Sequence, residues 1–288
     1  MDALTVLVKA SALVFVVSSM LAMGLSLTVS QIIEPLKNVK MVLIALAVNF
    51  VVVPLLAIGI QAVADLDDDL YTGLILVATA AGAPFLPKLA QAAKGDIALS
   101  VGLMVMLMMV TILYMPIVLP LILSDVDVDA WAIAQSLIVV MLIPLAIGLF
   151  AKARYSEMAD GLQPHMSQTS SLAIALMLVG GIILSWSDIV DLVGTGGLIV
   201  ALVFLLVSLA IGYFTGGSDP ATRSVLGLGT AQRNLSAALV VGAQNFSAES
   251  LTYIIVIALI GLALLLPLGG ELGRLADAKA APARTPPS

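Results

Sequence analysis

Five polar side chains stand within seven residues in an otherwise apolar segment near the end of the chain. They are Thr230, Gln232, Arg233, Asn234 and Ser236. A guanidinium, two amides and two hydroxyls can bind a carboxylate or supply oxygen ligands to a cation. A hydrolytic site would need a nucleophile with a base, a carboxylate pair or a metal, and the surrounding segment holds none of these. The cluster therefore indicates binding, and we expect that the protein is not an enzyme.

A second candidate segment lies in the first half of the chain, where Gly82 precedes Pro84 and Pro87. Each proline removes a backbone donor and clashes with the preceding helical turn. Two prolines three residues apart therefore predict an unwound stretch. Lys88 follows directly, and its ammonium could bind an anion or extend to lipid headgroups.

The segments that must position these residues are membrane helices. The chain has 288 residues, of which 61% are hydrophobic and only 10% are charged, whereas a soluble chain is about 25% charged. This composition excludes a soluble enzyme and a disordered scaffold, and the net charge of -6 argues against a nucleic-acid partner. The absence of Cys excludes disulfides and thiolate metal sites. An integral membrane protein remains.

Nine apolar runs are long enough to cross a bilayer, which takes about 20 residues in a helix. They are 4–28, 40–64, 70–93, 97–123, 130–151, 168–185, 196–214, 221–245 and 250–268. The polar connection 152–165 is predicted to be the seam between two halves. We expect one all-α polytopic transmembrane domain over 1–268, with halves 1–151 and 166–268, and a flexible cytoplasmic tail over 269–288.

Charged residues predict the orientation, because cytoplasmic loops carry an excess of Lys and Arg. One set of loops is acidic and holds Asp65, Asp67, Asp68, Asp69, Asp125, Asp127, Asp129, Asp188, Asp191 and Glu249. The alternate loops and the tail hold Lys37, Lys40, Lys94, Lys152, Arg154, Arg223, Arg274, Lys279 and Arg284. This alternation fits nine spans, with the N-terminus outside and the C-terminus in the cytoplasm. The expected location is a bacterial inner membrane.

The two interrupted runs, 70–93 and 221–245, are each the second-to-last span of their half. Paired interrupted segments at corresponding positions are typical of inverted-repeat transporters and mark their binding site. Arg233 lies near the middle of the second run, where a lipid-facing arginine costs about 2.5–3.5 kcal/mol. We therefore expect it to face protein or a cavity.

Five stretches of the sequence resemble one known family. They are MGLSLTVSQIIEPLKN at 23–38, NFVVVPLLA at 49–57, GLILVATAAGAP at 73–84, AKGDIALSV at 93–101 and RSVLGLGTAQRNLSAALVVGAQNF at 223–246. In this order they resemble the bile acid:sodium symporter family, the SBF or BASS carriers. The resemblance implies a core domain around two crossing broken helices, a smaller panel domain, and Na⁺-coupled uptake of organic anions. Ten-span members of that family have an extra first helix, which agrees with nine spans here.

The sequence departs from that family at both crossing helices. The family's first crossing helix has Pro-Gly-Gly-Thr-Ala-Ser-Asn, and Leu86 and Pro87 stand where its sodium-binding Ser and Asn would be. The second has Glu-x-Gly-x-Gln-Asn. Its Gln is retained as Gln232, but Leu228 replaces the Glu and Arg233 replaces the Asn.

These departures leave two predictions open for the coupling ion. A hard cation needs several oxygen ligands, preferably anionic, and Asn49 and Gln232 are the candidates for a partial sodium site. Alternatively, Arg233 carries a permanent charge that could replace the bound cation or pair with a substrate carboxylate. Proton coupling is disfavoured because no acidic residue lies within a predicted span.

We expect a secondary transporter of small organic anions, sodium-coupled as the resemblance implies, in the lipid bilayer as a monomer or homodimer. The alternatives are a sodium-independent exchanger or facilitator and a ligand-sensing receptor on the same fold. The candidate substrate- and ion-binding residues are Asn49, Thr79, Pro84, Lys88, Thr111, Thr230, Gln232, Arg233, Asn234 and Ser236. Some of them also have a structural interpretation: Asn49 could join helices, and Thr111 could bond its own helix backbone. No cofactor is expected other than Na⁺ as a coupling ion.

Overall fold

The computed structural model describes residues 3–123, 129–184 and 186–280, and every regular element in these ranges is helical. The predictions for Asp125, Asp127 and Arg284 lie outside the described residues, as do those for the side chains of Asp188, Asp191 and Lys279.

Within the described ranges the α-helices are numbered α1 to α15. The first half contains α1 (Ala3–Ser26), α2 (Val29–Ile33), α3 (Val39–Ala47), α4 (Val53–Ala64), α5 (Asp68–Thr79), α6 (Leu86–Ala92), α7 (Ile97–Ile122), α8 (Ala130–Leu137) and α9 (Ile143–Arg154). The second contains α10 (Ser156–Leu184), α11 (Trp186–Thr195), α12 (Gly197–Thr215), α13 (Pro220–Ala231), α14 (Leu235–Asn245) and α15 (Ala248–Ala280). A 3₁₀ turn at Glu34–Lys37 and π-helical turns at Val48–Val52 and Ile138–Leu142 complete the set.

Seven stretches of the described chain are long and apolar enough to cross a membrane. They are Val6–Ser26, Val39–Ala64, Ile97–Ile122, Ala130–Arg154, Ser156–Leu184, Gly197–Thr215 and Ala248–Asp277. This confirms the polytopic all-α membrane protein that the composition predicts. The other two predicted runs are each divided into two short helices, α5 with α6 and α13 with α14.

Two π-helical turns lie inside spans that the sequence analysis predicts as uninterrupted helices. Each is followed, after one further residue, by a proline, Pro54 in α4 and Pro144 in α9. A proline cannot donate the helical hydrogen bond, so the turn before it is free to widen. One of these turns contains Asn49, which the widened backbone carries into the protein interior.

The predicted seam over 152–165 is helical instead of a loop. Helix α9 ends at Arg154 and α10 begins at Ser156, so only Tyr155 separates them. The first turns of α10 are held by packing, because Ala159 is buried against Leu25 and Ala151. Burial of one face stabilises a helix more than its composition alone indicates.

The last helix also continues beyond the predicted end of its span at residue 268. Helix α15 extends to Ala280, so residues 269–280 of the predicted flexible tail are helical, and 281–288 lie outside the described residues. Gly269 and Gly273 explain the continuation, because they let α15 pack closely on α6. A Cβ at Gly273 would lie 2.3 Å from the Ala92 carbonyl oxygen.

Two groups of closely packed helices can be distinguished in the described chain, and they also contact each other. In the first, α1 packs along α10 and against α9, and the α1–α9 contact is backbone to backbone. A Cβ added at Gly24 would lie 2.4 Å from the Leu145 carbonyl oxygen, and one at Gly148 would lie 2.7 Å from that of Leu21. Small residues allow this approach where lipid supplies no hydrophobic driving force.

The second group surrounds the interrupted helices, with α15 against α5 and α12 against α13. The end of α5 and the start of its break are deeply buried. Every residue from Leu74 to Ala81 is fully enclosed. The backbone that the break leaves without helical partners is therefore surrounded by protein, as unwound backbone at membrane depth must be.

Candidate functional site

The breaks in the two interrupted helices lie against each other, and we call this place the crossing. It comprises residues 80–85, between α5 and α6, and 232–234, between α13 and α14. The Asn234 backbone N–H donates to the Ala80 carbonyl oxygen at 2.9 Å and joins the two breaks directly. The side-chain oxygen of Asn234 also accepts from the Ala237 N–H at 3.2 Å and caps α14.

The guanidinium of Arg233 fills the crossing, and Arg233 as a whole is 3% exposed. The Nε–H donates to the Val77 carbonyl at 3.2 Å. The Nη1 group donates to Asn49 Oδ1 at 2.7 Å and to the Thr230 carbonyl at 3.1 Å. The Nη2 group donates to the Ala78 carbonyl at 2.6 Å and, more weakly, to the Asn49 carbonyl at 3.5 Å. A guanidinium has five N–H donors, and all five are occupied.

The acceptors of Arg233 explain why a buried charge is stable there. Val77 and Ala78 lie in the last turn of α5, and Thr230 lies in the last turn of α13. The last carbonyls of a helix lack the usual i+4 partners, although Val77 also accepts from the Ala80 N–H at 3.2 Å. Together these carbonyls carry a partial negative charge. Two helix C-termini thus face one cation. Among the described residues no carboxylate forms an ion pair with Arg233, so these dipoles and Asn49 supply the compensation that a buried charge requires.

Asn49 connects the π-helical turn to the crossing. Its side-chain N–H groups donate to the Ala45 carbonyl at 3.0 Å and to Thr230 Oγ1 at 3.5 Å, while its Oδ1 accepts from Arg233. Its residue is almost completely buried. These contacts fit the structural interpretation of Asn49 as an amide that joins helices. The bond from Arg233 also makes Asn49 a direct partner of the guanidinium.

Helix α7 holds the first break from the other side. Thr111 Oγ1 accepts from the Ala81 N–H at 2.9 Å and donates to the Ala81 carbonyl at 3.0 Å. The structural interpretation expected Thr111 to bond its own helix. Its hydroxyl instead bonds the backbone of Ala81 in the break. One turn further on, Tyr114 donates from its hydroxyl to the Phe50 carbonyl at 2.6 Å. These contacts fix both the break and the π-helical turn to α7.

The remaining predicted residues are placed differently. Thr79 donates to the Ile75 carbonyl of its own helix at 2.7 Å and is fully buried. Pro84 is half-buried within the break. Lys88 is exposed, with its ammonium 5.6 Å from the centre of the Phe85 ring, and is not among the contacts of Arg233.

Two side-chain polar groups of the cluster over 230–236 have no hydrogen-bond partner among the described residues. They are Asn234 Nδ2 and Ser236 Oγ, and both residues are buried. Gln232 is half-buried and lines, with Arg233, a void of about 10 Å³. Such a void holds about one water molecule and is too small for an organic anion.

A larger space, which we call the cleft, lies between the two helix groups. It has a volume of about 270 Å³ and is bounded by α1, α10, α14 and α15. Its walls are mostly apolar and include Val16, Met177, Leu239 and Ile255. Helix α14 begins at the crossing and continues along the cleft, so it connects the two places.

Lys9 and Gln244 also line the cleft, and both are exposed. Neither side chain has a hydrogen bond or ion pair within the described part of the chain. Lys9 is not among the predicted site residues. The signal that could have found it is a lysine inside the first apolar run, since intramembrane charges tend to be functional. In the described ranges no group of three or more His, Cys, Asp or Glu side chains could hold a metal ion.

Comparison with known proteins relates this chain to a family of membrane transporters. The model of the Sodium Bile acid symporter family matches residues 13–200. Among curated proteins, the probable sodium/metabolite cotransporter BASS3, chloroplastic, of Arabidopsis thaliana is 26% identical over 196 residues, which cover 68% of this chain and 46% of that protein. The protein of the same description from Oryza sativa subsp. japonica is 24% identical over 196 residues, with the same coverage.

The chain spans about half the length of these curated relatives. The family match includes the break between α5 and α6 and ends before the segment that carries Arg233. It nevertheless covers well over half of the 288 residues. The chain therefore belongs to the sodium bile acid symporter family.

Proposed function

We propose that the protein is a secondary transporter of small organic anions that works by alternating access. One observation carries this proposal: two interrupted helices are buried inside a polytopic membrane protein, with their breaks hydrogen-bonded to each other. Discontinuous helices at this position form the binding and coupling sites of secondary transporters. The family's name and the relatives' description as sodium/metabolite cotransporters support the same class of function.

The proposal includes a topology. We infer that each interrupted pair, α5 with α6 and α13 with α14, completes one crossing of the membrane. Added to the seven continuous spans, the two pairs give nine. The two halves would then be inverted repeats, the first lacking one peripheral helix, with the N-terminus outside and the C-terminus in the cytoplasm. The group around α1 and α10 would be the panel that moves against the group around the crossing.

The cleft is the proposed entry site of the substrate, because it separates the two groups that must move. Its apolar walls fit the hydrocarbon part of an amphipathic molecule, and Lys9 supplies an ammonium with no partner in the described residues. Gln244 adds an amide N–H to the lining of the same cleft. Ligand sites measure about 300–1,000 Å³, so a cleft of about 270 Å³ favours a small carboxylate.

Binding to the cleft is tested with octanoate, which has a carboxylate on an apolar chain. Octanoate should raise the thermal stability of the purified protein saturably, because a ligand of the folded state stabilises it, whereas octanol should not. The variant Lys9→Gln should lose this response. The matched control is Lys40→Gln, which neutralises another exposed lysine that does not line the cleft. An equal response of both variants to octanoate would exclude Lys9 as the anion's partner.

Transport itself is tested by counterflow of labelled carboxylates in proteoliposomes. A transporter exchanges the label across the membrane and saturates. Saturable binding without any counterflow would contradict transport and favour the alternative of a ligand-sensing receptor.

A further inference from the structure

The oxygens around Arg233 form a cation site whose occupant is covalently attached. The carbonyls of Val77, Ala78 and Thr230 and the side-chain oxygen of Asn49 all lie within 3.2 Å of guanidinium nitrogens. They come from two helix C-termini and one π-helical turn, which are far apart in the sequence. Without the guanidinium, these neighbouring oxygens would share buried negative potential with no counter-charge among the described residues.

We propose that Arg233 is a built-in replacement for a bound cation, so that the protein closes its crossing without sodium. Oxygen ligands of this kind are those that hard cations prefer. In secondary transporters, unwound carbonyls and the C-terminal ends of half-helices coordinate the coupling ion. Here the same kind of groups is already saturated by donors of the chain itself. The inference deepens the proposed function and rests on it for its meaning in transport.

A tethered cation has a direct consequence for coupling. A coupling ion drives transport because it binds on one side of the membrane and leaves on the other. The Arg233 guanidinium cannot leave, so no ion gradient can act through this site. Transport would then follow the gradient of the anion, as facilitated diffusion or exchange.

The contacts also decide between the two roles predicted for Arg233. A guanidinium that pairs with a substrate carboxylate needs free N–H donors that face a cavity. All five donors of Arg233 are occupied, and the adjacent void of about 10 Å³ admits no organic anion. The anion is therefore assigned to Lys9 in the cleft, and the structural cation to Arg233.

The experiment compares thermal unfolding of purified variants in detergent with NaCl, KCl and choline chloride at matched ionic strength. The wild type should unfold at the same temperature in all three salts. Arg233→Ala should unfold at a lower temperature and regain stability saturably with NaCl, or with millimolar methylguanidinium, relative to choline. Arg223→Ala is the control, because Arg223 is half-buried and stacks on Tyr213 at 4.2 Å away from the crossing. It should respond to none of the cations.

Two results would overturn the inference. One is a saturable, sodium-specific stabilisation of the wild type, which would show that a sodium site persists. The other is an Arg233→Ala protein as stable as the wild type, or one indifferent to every cation. If Arg233→Ala does not fold, Arg233→Lys takes its place and should remain insensitive to sodium, since it keeps a tethered charge. In either case, a sodium-specific rise in the unfolding temperature of the wild type would refute the inference. These readouts need no transport, so a failure of counterflow alone would refute the proposed function and not this inference.

Discussion

Replacement of Thr111 by Val tests whether α7 holds the break between α5 and α6. Val has nearly the shape of Thr but lacks the hydroxyl, so the substitution removes polarity and little packing. In the wild type the hydroxyl bonds both the N–H and the carbonyl of Ala81, at 2.9 and 3.0 Å. Ala81 is fully buried, and in Thr111→Val both of its backbone groups would lose this partner.

The magnitude follows from the number of orphaned groups. A buried polar group left without a partner costs about 1–3 kcal/mol, and two such groups are created. The unfolded chain in a detergent micelle finds other partners, which keeps measured values near the low end. We therefore expect Thr111→Val to lower the free energy of unfolding by about 2–4 kcal/mol.

The assay is equilibrium unfolding in dodecyl maltoside with increasing sodium dodecyl sulfate, followed by circular dichroism. Thr169→Val is the matched control, because Thr169 bonds the His165 carbonyl of its own helix at 2.9 Å and both residues are exposed. Its loss orphans no buried backbone group and should cost less than about 0.5 kcal/mol. Equal costs for the two variants would refute the conclusion that Thr111 holds the break.

Two further predictions concern close backbone contacts. Gly82→Ala should give little folded protein by size-exclusion chromatography. Gly82 has φ +82° and a Cβ there would lie 2.2 Å from a backbone nitrogen of α7, and this combination costs more than about 3 kcal/mol. A normal yield of stable protein would contradict the prediction. Gly148→Ala should destabilise the protein by about 1–3 kcal/mol because α1 and α9 must separate, whereas Gly161→Ala, with open space around it, should gain up to about 1 kcal/mol from helix propensity. Thermal unfolding measures both, and an opposite order would contradict the packing.

The local chemistry of the sequence predicts where the two helices break. The first break contains Pro84, and Pro87 lies in the first turn of α6; the second break lies within the polar cluster around Arg233. Such breaks are predictable because they depend on the residues themselves. By contrast, the helix over the expected seam depends on burial of Ala159 against residues from α1 and α9, which no local pattern contains.

The partners within the site could not be predicted for the same reason. Asn49 and Arg233 are 184 positions apart, and their contact needs a π-helical turn that only the folded packing reveals. Thr111 could equally have bonded its own helix, and only the position of Ala81 determines otherwise. Lys9 carries a charge within an apolar run, but its place in the proposed substrate site depends on a cleft between helices that are distant in the sequence.

The proposed replacement of a mobile ion by an arginine has a physical logic. Arginine retains its charge at any physiological pH and offers five donors in a fixed plane. Two helix ends and an amide can therefore be satisfied at once, which the smaller ammonium of a lysine could not do. In the proposed arrangement the guanidinium stabilises the crossing permanently, and no ion gradient acts through that site.

The most direct test of the whole account is counterflow of labelled octanoate in proteoliposomes, with sodium or choline as the only cation on both sides. The account predicts saturable counterflow at equal rates in the two media, abolished by Lys9→Gln and retained by Lys40→Gln. Counterflow that requires sodium would contradict the built-in cation, and no counterflow from folded, octanoate-binding protein would contradict transport.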